Sequence, residues 1–280
     1  MPSEESQYFP QWGYDAFDCT AYSFLNLLET KLNQMLAEKT ITLDNADWLS
    51  TNGYLDKYGK LNFSDQFTAV LSGNTKQGNT FENVFASSIT DGLIPDSMFQ
   101  DNPKNWEEYY DKTKITQEMR DTGKEFLKRF EISELRNVPL SDIGQDLIWT
   151  TIAVCEGYNS GGIIQSCVFP PTHAVLLFNK ADSYYEFFDS YPPYIKQTSL
   201  NYIYYAKWRI LIKETNQPNL TMLKTIRQKG TTETFVVIAG KNYYIGSPET
   251  FDRLKREEII GGWDKVQEVP THIPIDGIIK

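Results

Sequence analysis

The chain has 280 residues, of which 40% are hydrophobic and 14% aromatic, with 27 Lys and Arg against 37 Asp and Glu. That apolar share builds a packed core in one large domain or two unequal ones and excludes a disordered chain. A net charge of −10 with scattered basic residues argues against nucleic acid as a partner, and no apolar run approaches the ~20 residues that cross a bilayer.

The Met1–Tyr8 start is acidic and polar, unlike a signal peptide, so a soluble protein with no membrane partner, made in a cytoplasm, is expected. From Tyr22 the apolar residues Tyr22, Leu25, Leu28, Leu32, Met35 and Leu36 recur at helical spacing, with Asp18 as N-cap and Cys19 at the first helical position. Thr40–Gly59 is polar and reads mostly as loop. Ser64 caps a short helix to Leu71, followed by a loop that holds Gly73 and Gly78. Asn79 and Glu82 have capping-box spacing ahead of a helix with the stripe Phe81, Val84, Phe85 and Ile89, ending at Gly92. Further helices are expected over Asn105–Asp111 and Thr116–Phe130, the second weakened by Gly123.

The character changes at Ser141. A short helix to about Trp149 leads into β-rich runs at Thr151–Cys155, Thr172–Asn179, Ser183–Asp189 and Tyr202–Lys213, with Ala181-Asp182 as a hairpin turn. Helices first and strands second imply an α+β fold, with a cleft where the halves meet as the first place to seek a site. Asn216–Asn219 is the best linker. Beyond it, strands Thr234–Ala239 and Asn242–Gly246, a helix opened by Ser247-Pro248 and running to about Glu257, and a strand near Val266–Val269 read as a small ββαβ module. Domains over 1–215 and 219–280 are therefore expected.

Three cysteines, Cys19, Cys155 and Cys167, cannot all be paired. Cys155 and Cys167 flank a Gly-rich loop and either close a hairpin disulfide in an oxidising compartment or stay reduced in a cytosol. Cys19 is the odd one out. At the first turn of a helix its sulfur faces unpaired backbone N–H groups and the positive end of the helix dipole, which favours the nucleophilic thiolate. The bland alternative is a small buried cysteine packed on the next element. Of the two histidines, His272 sits in a Pro-flanked tail and reads as exposed. His173 begins the run His173–Phe178, and Asp189, sixteen residues on, ends the partner strand, where hairpin pairing brings it beside His173 as an orienting carboxylate. A Cys far upstream of a His and its Asp is the layout of papain-like enzymes.

Further motifs carry that resemblance. Cys19-Thr20-Ala21-Tyr22-Ser23 resembles the C-W-A-F-S around the nucleophile of papain-like (C1-like) cysteine peptidases. Gln11 precedes it as the family's oxyanion glutamine does. Leu61–Gln66, then Gln77-Gly78, then Gly92-Leu93-Ile94 are similar to the L-S-x-Q segment, the G-G substrate loop and the following G-G-I. His173-Ala174-Val175 matches H-A-V, and Asp189-Ser190-Tyr191 stands where N-S-W would be. Gln11 lies two residues further from Cys19 than the family's spacing, and Asp189 replaces the usual Asn.

The resemblance implies a two-lobe papain-like fold, helical then β-rich, that hydrolyses a protein or peptide substrate. Cys19, His173 and Asp189 would form the triad, with Gln11 at the oxyanion and Gln77 and Gly78 binding the substrate; no cofactor and no metal are implied. The chain is also similar to papain-like proteins of tailed phages, and its C-terminal module resembles small repeats of bacterial surface and phage proteins. That implies a virion or surface partner for the module and a cytoplasmic or virion-associated location. One rival reading is a Cys-dependent amidase or transglutaminase, disfavoured by the long gap from Cys19 to His173. The other is a non-catalytic binding protein on a papain-like scaffold, which need not keep Cys, His and Asp together.

Overall fold

Helix α1 (Cys19–Glu38) is apolar on more than the single stripe its periodicity suggests: Phe24 and Leu27 are as fully buried as Leu25, Leu28 and Leu32. A helix apolar on several faces belongs inside a core. In the computed structural model α1 packs against helices on one side and a sheet on the other. The structure describes residues 2, 4–10, 13–99, 103–153, 163–164, 170–215, 225–228, 233–238, 241–256, 267–269 and 277–279. The chain divides into two compact units, Met1–Thr215 and Asn216–Lys280. The expected linker Asn216–Asn219 lies outside the described residues.

In the first unit a small hairpin of β1 (Tyr8–Phe9) and β2 (Tyr14–Asp15) precedes α1. After it come α2 (Leu43–Thr51), α3 (Asp65–Leu71), α4 (Phe81–Thr90), α5 (Trp106–Tyr109) and α6 (Gln117–Arg129). Strands β3 (Phe130–Arg136), β4 (Ile148–Ile152), β5 (Ile163–Ile164), β6 (His173–Lys180), β7 (Tyr184–Phe188), β8 (Ile195–Ser199) and β9 (Lys207–Glu214) form one sheet in the order β3-β9-β4-β6-β7-β8-β5. Its pairs are antiparallel except β5 with β8. The architecture is α+β.

Several local expectations are corrected. Thr40–Gly59 is not mostly loop: the Thr42 hydroxyl accepts from Asn45 N–H and starts α2, whose Leu49 is fully buried. Helix α4 is capped by Thr80 rather than Asn79, because the Asn79 side-chain Oδ1 accepts from Thr80 N–H and Asn83 Nδ2. Trp149 lies inside strand β4, not at the end of a helix. Strands β3 and β8 were not expected: Leu135 of β3 and Ile195 of β8 are exposed and Thr198 of β8 is buried, which breaks the apolar alternation that marks a strand.

Gly123 in α6 has a packing role. A Cβ there would meet Asp91 O at 2.2 Å, and one on Gly92 would meet Gly123 O at 1.7 Å. The two glycines let α6 pass against the end of α4 at backbone distance.

The main core joins the two halves. Fully buried Trp149 of β4 stacks on Phe81 of α4 at 3.5 Å between ring centroids and meets Trp208 of β9 edge-on at 5.7 Å. Its indole N–H donates to Ser23 Oγ of α1 at 2.8 Å, satisfying the one polar atom that burial would strand. Helix α1 is thereby fixed to the sheet one turn beyond Cys19.

The second unit was read as ββαβ and holds more strands. β10 (Thr225–Gln228), β11 (Thr234–Ile238), β12 (Lys241–Ile245), α7 (Pro248–Arg256), β13 (Gln267–Val269) and β14 (Gly277–Ile279) give a sheet in the order β13-β10-β11-β12-β14. The Ser247 hydroxyl accepts from Thr250 N–H at 3.2 Å, so Ser247-Pro248 opens α7 as its sequence indicated. Among the described residues no helix is long and apolar enough to cross a membrane.

Candidate active site

Cys19 is the first residue of α1 and is partly buried and unpaired in any disulfide. Asp18 takes the N-cap position, yet its side chain makes no cap; it turns inward and accepts from the Tyr109 hydroxyl at 2.7 Å. The backbone supplies the turn instead, with Ala21 N–H and Tyr22 N–H donating to Asp18 O. Ser23 Oγ donates back to Cys19 O at 2.6 Å, and Ala174 N–H, next to His173 on β6, donates to Cys19 Sγ at 3.4 Å.

Strand periodicity explains why His173 and Asp189 meet. β6 pairs with β7 through Leu176↔Phe188 and Leu177↔Phe187. Extended one step, that register sets Asp189 opposite Val175, on the same face as His173 and diagonal to it. His173 Nε2 lies 2.6 Å from Asp189 Oδ1, with both side chains buried. The charge of Cys19 also acts on the His173 ring, and both side chains line one cleft. Nε2 faces the carboxylate, so Nδ1 is left for the sulfur.

The electrostatics follow the geometry. Burial opposes protonation of His173, but the charge of Cys19 and hydrogen bonds to Asp189 and Cys19 outweigh it and raise His173 from 6.5 to about 10. Burial likewise opposes ionisation of Asp189, yet the hydrogen bond and charge of His173, then the charge and hydrogen bond of Lys196, hold it below the usual carboxylate range. Lys196 Nζ lies 2.5 Å from Asp189 Oδ2.

These residues line a cleft of about 490 Å³ whose walls also include Gln7, Phe17, Gln77, Gly78, Ile152, Ile164, Phe187 and Tyr191. Gln77 and Gly78 therefore stand on the same cleft as Cys19. Gly78 closes a turn with its N–H on Thr75 O at 2.8 Å and has φ of +85°, a conformation that favours glycine. Gln11, Cys155, Cys167 and His272 lie outside the described residues.

Sequence reading missed Gln7. The β1–β2 hairpin folds the segment back so that Gln7 O accepts from Ala16 N–H at 2.9 Å, while Gln7 N–H donates to Ser190 O at 3.2 Å. Gln7 is 2% exposed and its Nε2 donates to the Tyr191 hydroxyl, which in turn donates to Asp15 Oδ2. Its Oε1 is buried without a hydrogen-bond partner. The signal for this was the hairpin: Tyr8-Phe9 and Tyr14-Asp15 around Gly13, with φ of +66° there. The Tyr191 ring lies 5.6 Å from the His173 ring. Among the described residues no group of three or more His, Cys, Asp or Glu is arranged to hold a metal ion. No protein-family model matches the chain, and no curated protein matches it either.

Proposed function

We propose that the Met1–Thr215 unit is a papain-like, two-lobe cysteine peptidase. One observation carries the reading: Cys19, at a helix start, lines the same cleft as His173, whose Nε2 lies 2.6 Å from buried Asp189. Nucleophile, proton carrier and orienting carboxylate in that order are what acyl transfer needs.

The Cys19 thiolate attacks a peptide carbonyl carbon and forms the S–C bond. His173 then gives its proton to the departing amine nitrogen as the C–N bond breaks, leaving a thioester. Water adds to that carbonyl while His173 takes its proton, and the S–C bond breaks to release the acid and the thiolate. The oxyanion is met by the Cys19 backbone N–H, at the first helical position where such donors have no intrahelical acceptor. Gln11 keeps the oxyanion role that the resemblance implies, and Gln7, whose buried amide shares the cleft wall with Tyr191, is a second candidate donor beside it. Gln77 and Gly78 offer backbone to an extended substrate. Ile152, Ile164 and Phe187 give the cleft an apolar lining beside this polar centre.

The test is covalent. An epoxysuccinyl peptide of the E-64 type is expected to add one inhibitor mass to the protein at neutral pH and none to Cys19→Ala. Labelling that persists in Cys19→Ala rejects the assignment. Cleavage of a peptide library, abolished in His173→Ala, separates a peptidase from a scaffold with a reactive thiol.

A further inference from the structure

Asp189 stands where the family the chain resembles has a neutral amide, and a second buried charge accompanies it. Lys196 Nζ is 2.5 Å from Asp189 Oδ2, and the two side chains are 12% and 5% exposed. The placement is fixed by the sheet. In the β7–β8 register Lys196 lies opposite Phe187, so strand alternation aims it at the face that carries His173 and Asp189. Asp189 N–H donates to Tyr194 O at 2.8 Å, which holds the turn between the two residues. Each carboxylate oxygen thus has one cationic partner, His173 on Oδ1 and Lys196 on Oδ2.

We infer that Lys196 is a positioning residue that balances the charge of Asp189, so that His173 meets a carboxylate whose field is close to that of a neutral amide. The inference rests on the proposed peptidase reading of the site. With Cys19 as thiolate and His173 as imidazolium, the four groups alternate in sign and sum to zero; without Lys196 they sum to one net negative charge. An unbalanced carboxylate would hold the His173 proton too tightly for its transfer to a leaving amine. The other charged or titratable groups around His173 do not supply that balance. Tyr191 beside it donates to Asp15 of β2, which adds negative charge, and Lys76 on the cleft rim is paired with Glu107 at 2.9 Å.

The experiment reads the pH dependence of Cys19 alkylation by iodoacetamide, whose upper inflection reports loss of the His173 proton, with the His173 ring followed by proton NMR in the same samples. Lys196→Met is expected to move that inflection up by about one pH unit, and Asp189→Asn to move it down by about as much. The double variant, neutral at both positions, is expected to return close to the unchanged protein. Lys196→Arg keeps the charge and should keep the inflection. A folded Lys196→Met with an unmoved inflection overturns the inference, as does a double variant that behaves like Asp189→Asn alone. If Lys196→Met does not fold, Lys196→Gln is read the same way. Collapse of both with Lys196→Arg folded assigns Lys196 to holding the strand and overturns the inference too. Native Cys19 that alkylates with an upper inflection but cleaves no peptide removes the peptidase reading and leaves the charge balance standing. Native Cys19 with no upper inflection removes both.

Discussion

Asp18, directly before Cys19, gives the sharpest stability test. It is 1% exposed, one carboxylate oxygen accepts from Tyr109, and the other, Oδ1, is buried with no partner. Burial raises it from 3.8 to about 8, opposed by the Tyr109 hydrogen bond and reinforced by the charge of Asp15. Because the folded value lies above the unfolded one, the native chain keeps a proton that the unfolded chain releases between those limits. Stability therefore falls as pH rises through that window, by about 1.4 kcal/mol per pH unit, or roughly 2.7 kcal/mol from pH 5 to pH 7. Asp18→Asn keeps the shape and an acceptor for Tyr109 and removes the titration, and no cap is lost because the side chain makes none. At about 2–4 °C per kcal/mol, the melting advantage of Asp18→Asn over the parent should grow by roughly 5–10 °C between those two pH values. Thermal melts followed by circular dichroism at both pH values measure it. An advantage of the same size at each pH would refute the buried neutral carboxyl.

Gly123→Ala would gain about 1 kcal/mol of helix propensity, but its Cβ would meet Asp91 O at 2.2 Å, so the clash wins and the variant is expected to melt well below the parent. Trp149→Phe leaves buried Ser23 Oγ without its indole donor and should lose about 1–3 kcal/mol in denaturant unfolding. Gly78→Ala has room, with Phe17 O at 3.8 Å, but a φ of +85°; it is expected to stay folded, lose about 1–2 kcal/mol, and slow the proposed peptide cleavage. His173, raised from 6.5 to about 10, stabilises the fold fully below pH 6.5, and that contribution is lost as pH climbs through about 10. A plot of unfolding free energy against pH should fall over that range in the parent and not in His173→Ala.

What was legible in the sequence was what a local pattern encodes. Ser64, Thr116 and Ser247 announce helix starts, and each accepts from a backbone N–H of its own first turn. The meeting of His173 with Asp189 also followed from local pairing, because a hairpin fixes distance between its own strands. The place of Gln7 on the cleft wall could not be read from spacing, since it depends on a two-residue-per-strand hairpin whose signal is weaker than that of a family motif. Lys196 was hidden for a related reason. Strand β8 alternates Ile195, Lys196, Gln197 and Thr198 without an apolar face, and only pairing with β7 reveals which side chains point to Asp189 and His173. Gly123 read as a weak helix position because the partner that needs it, Gly92, lies in another element.

Cys19 is held by a clamp that links two distant segments. Phe17, a non-glycine residue with φ of +58°, sits two residues before Cys19, a backbone conformation that disfavours a side chain by roughly 1–2 kcal/mol. Two side chains oppose that strain. Asp15 Oδ1 accepts from Phe17 N–H at 2.7 Å, and Asn74 Nδ2 donates to Phe17 O at 3.0 Å and Ala16 O at 3.2 Å. Asn74 belongs to the loop that carries Gln77 and Gly78, and Asp15 also accepts from the Tyr191 hydroxyl beside His173. Hydrogen bonds at about 1 kcal/mol each are together large enough to hold the strained turn. The same bonds that fix Cys19 at the head of α1 therefore fix its distance from the glycine loop on one wall and from Tyr191 on the other. Geometry across the cleft is set by residues that take no part in bond making, which is where a one-ångström error in a triad would otherwise arise.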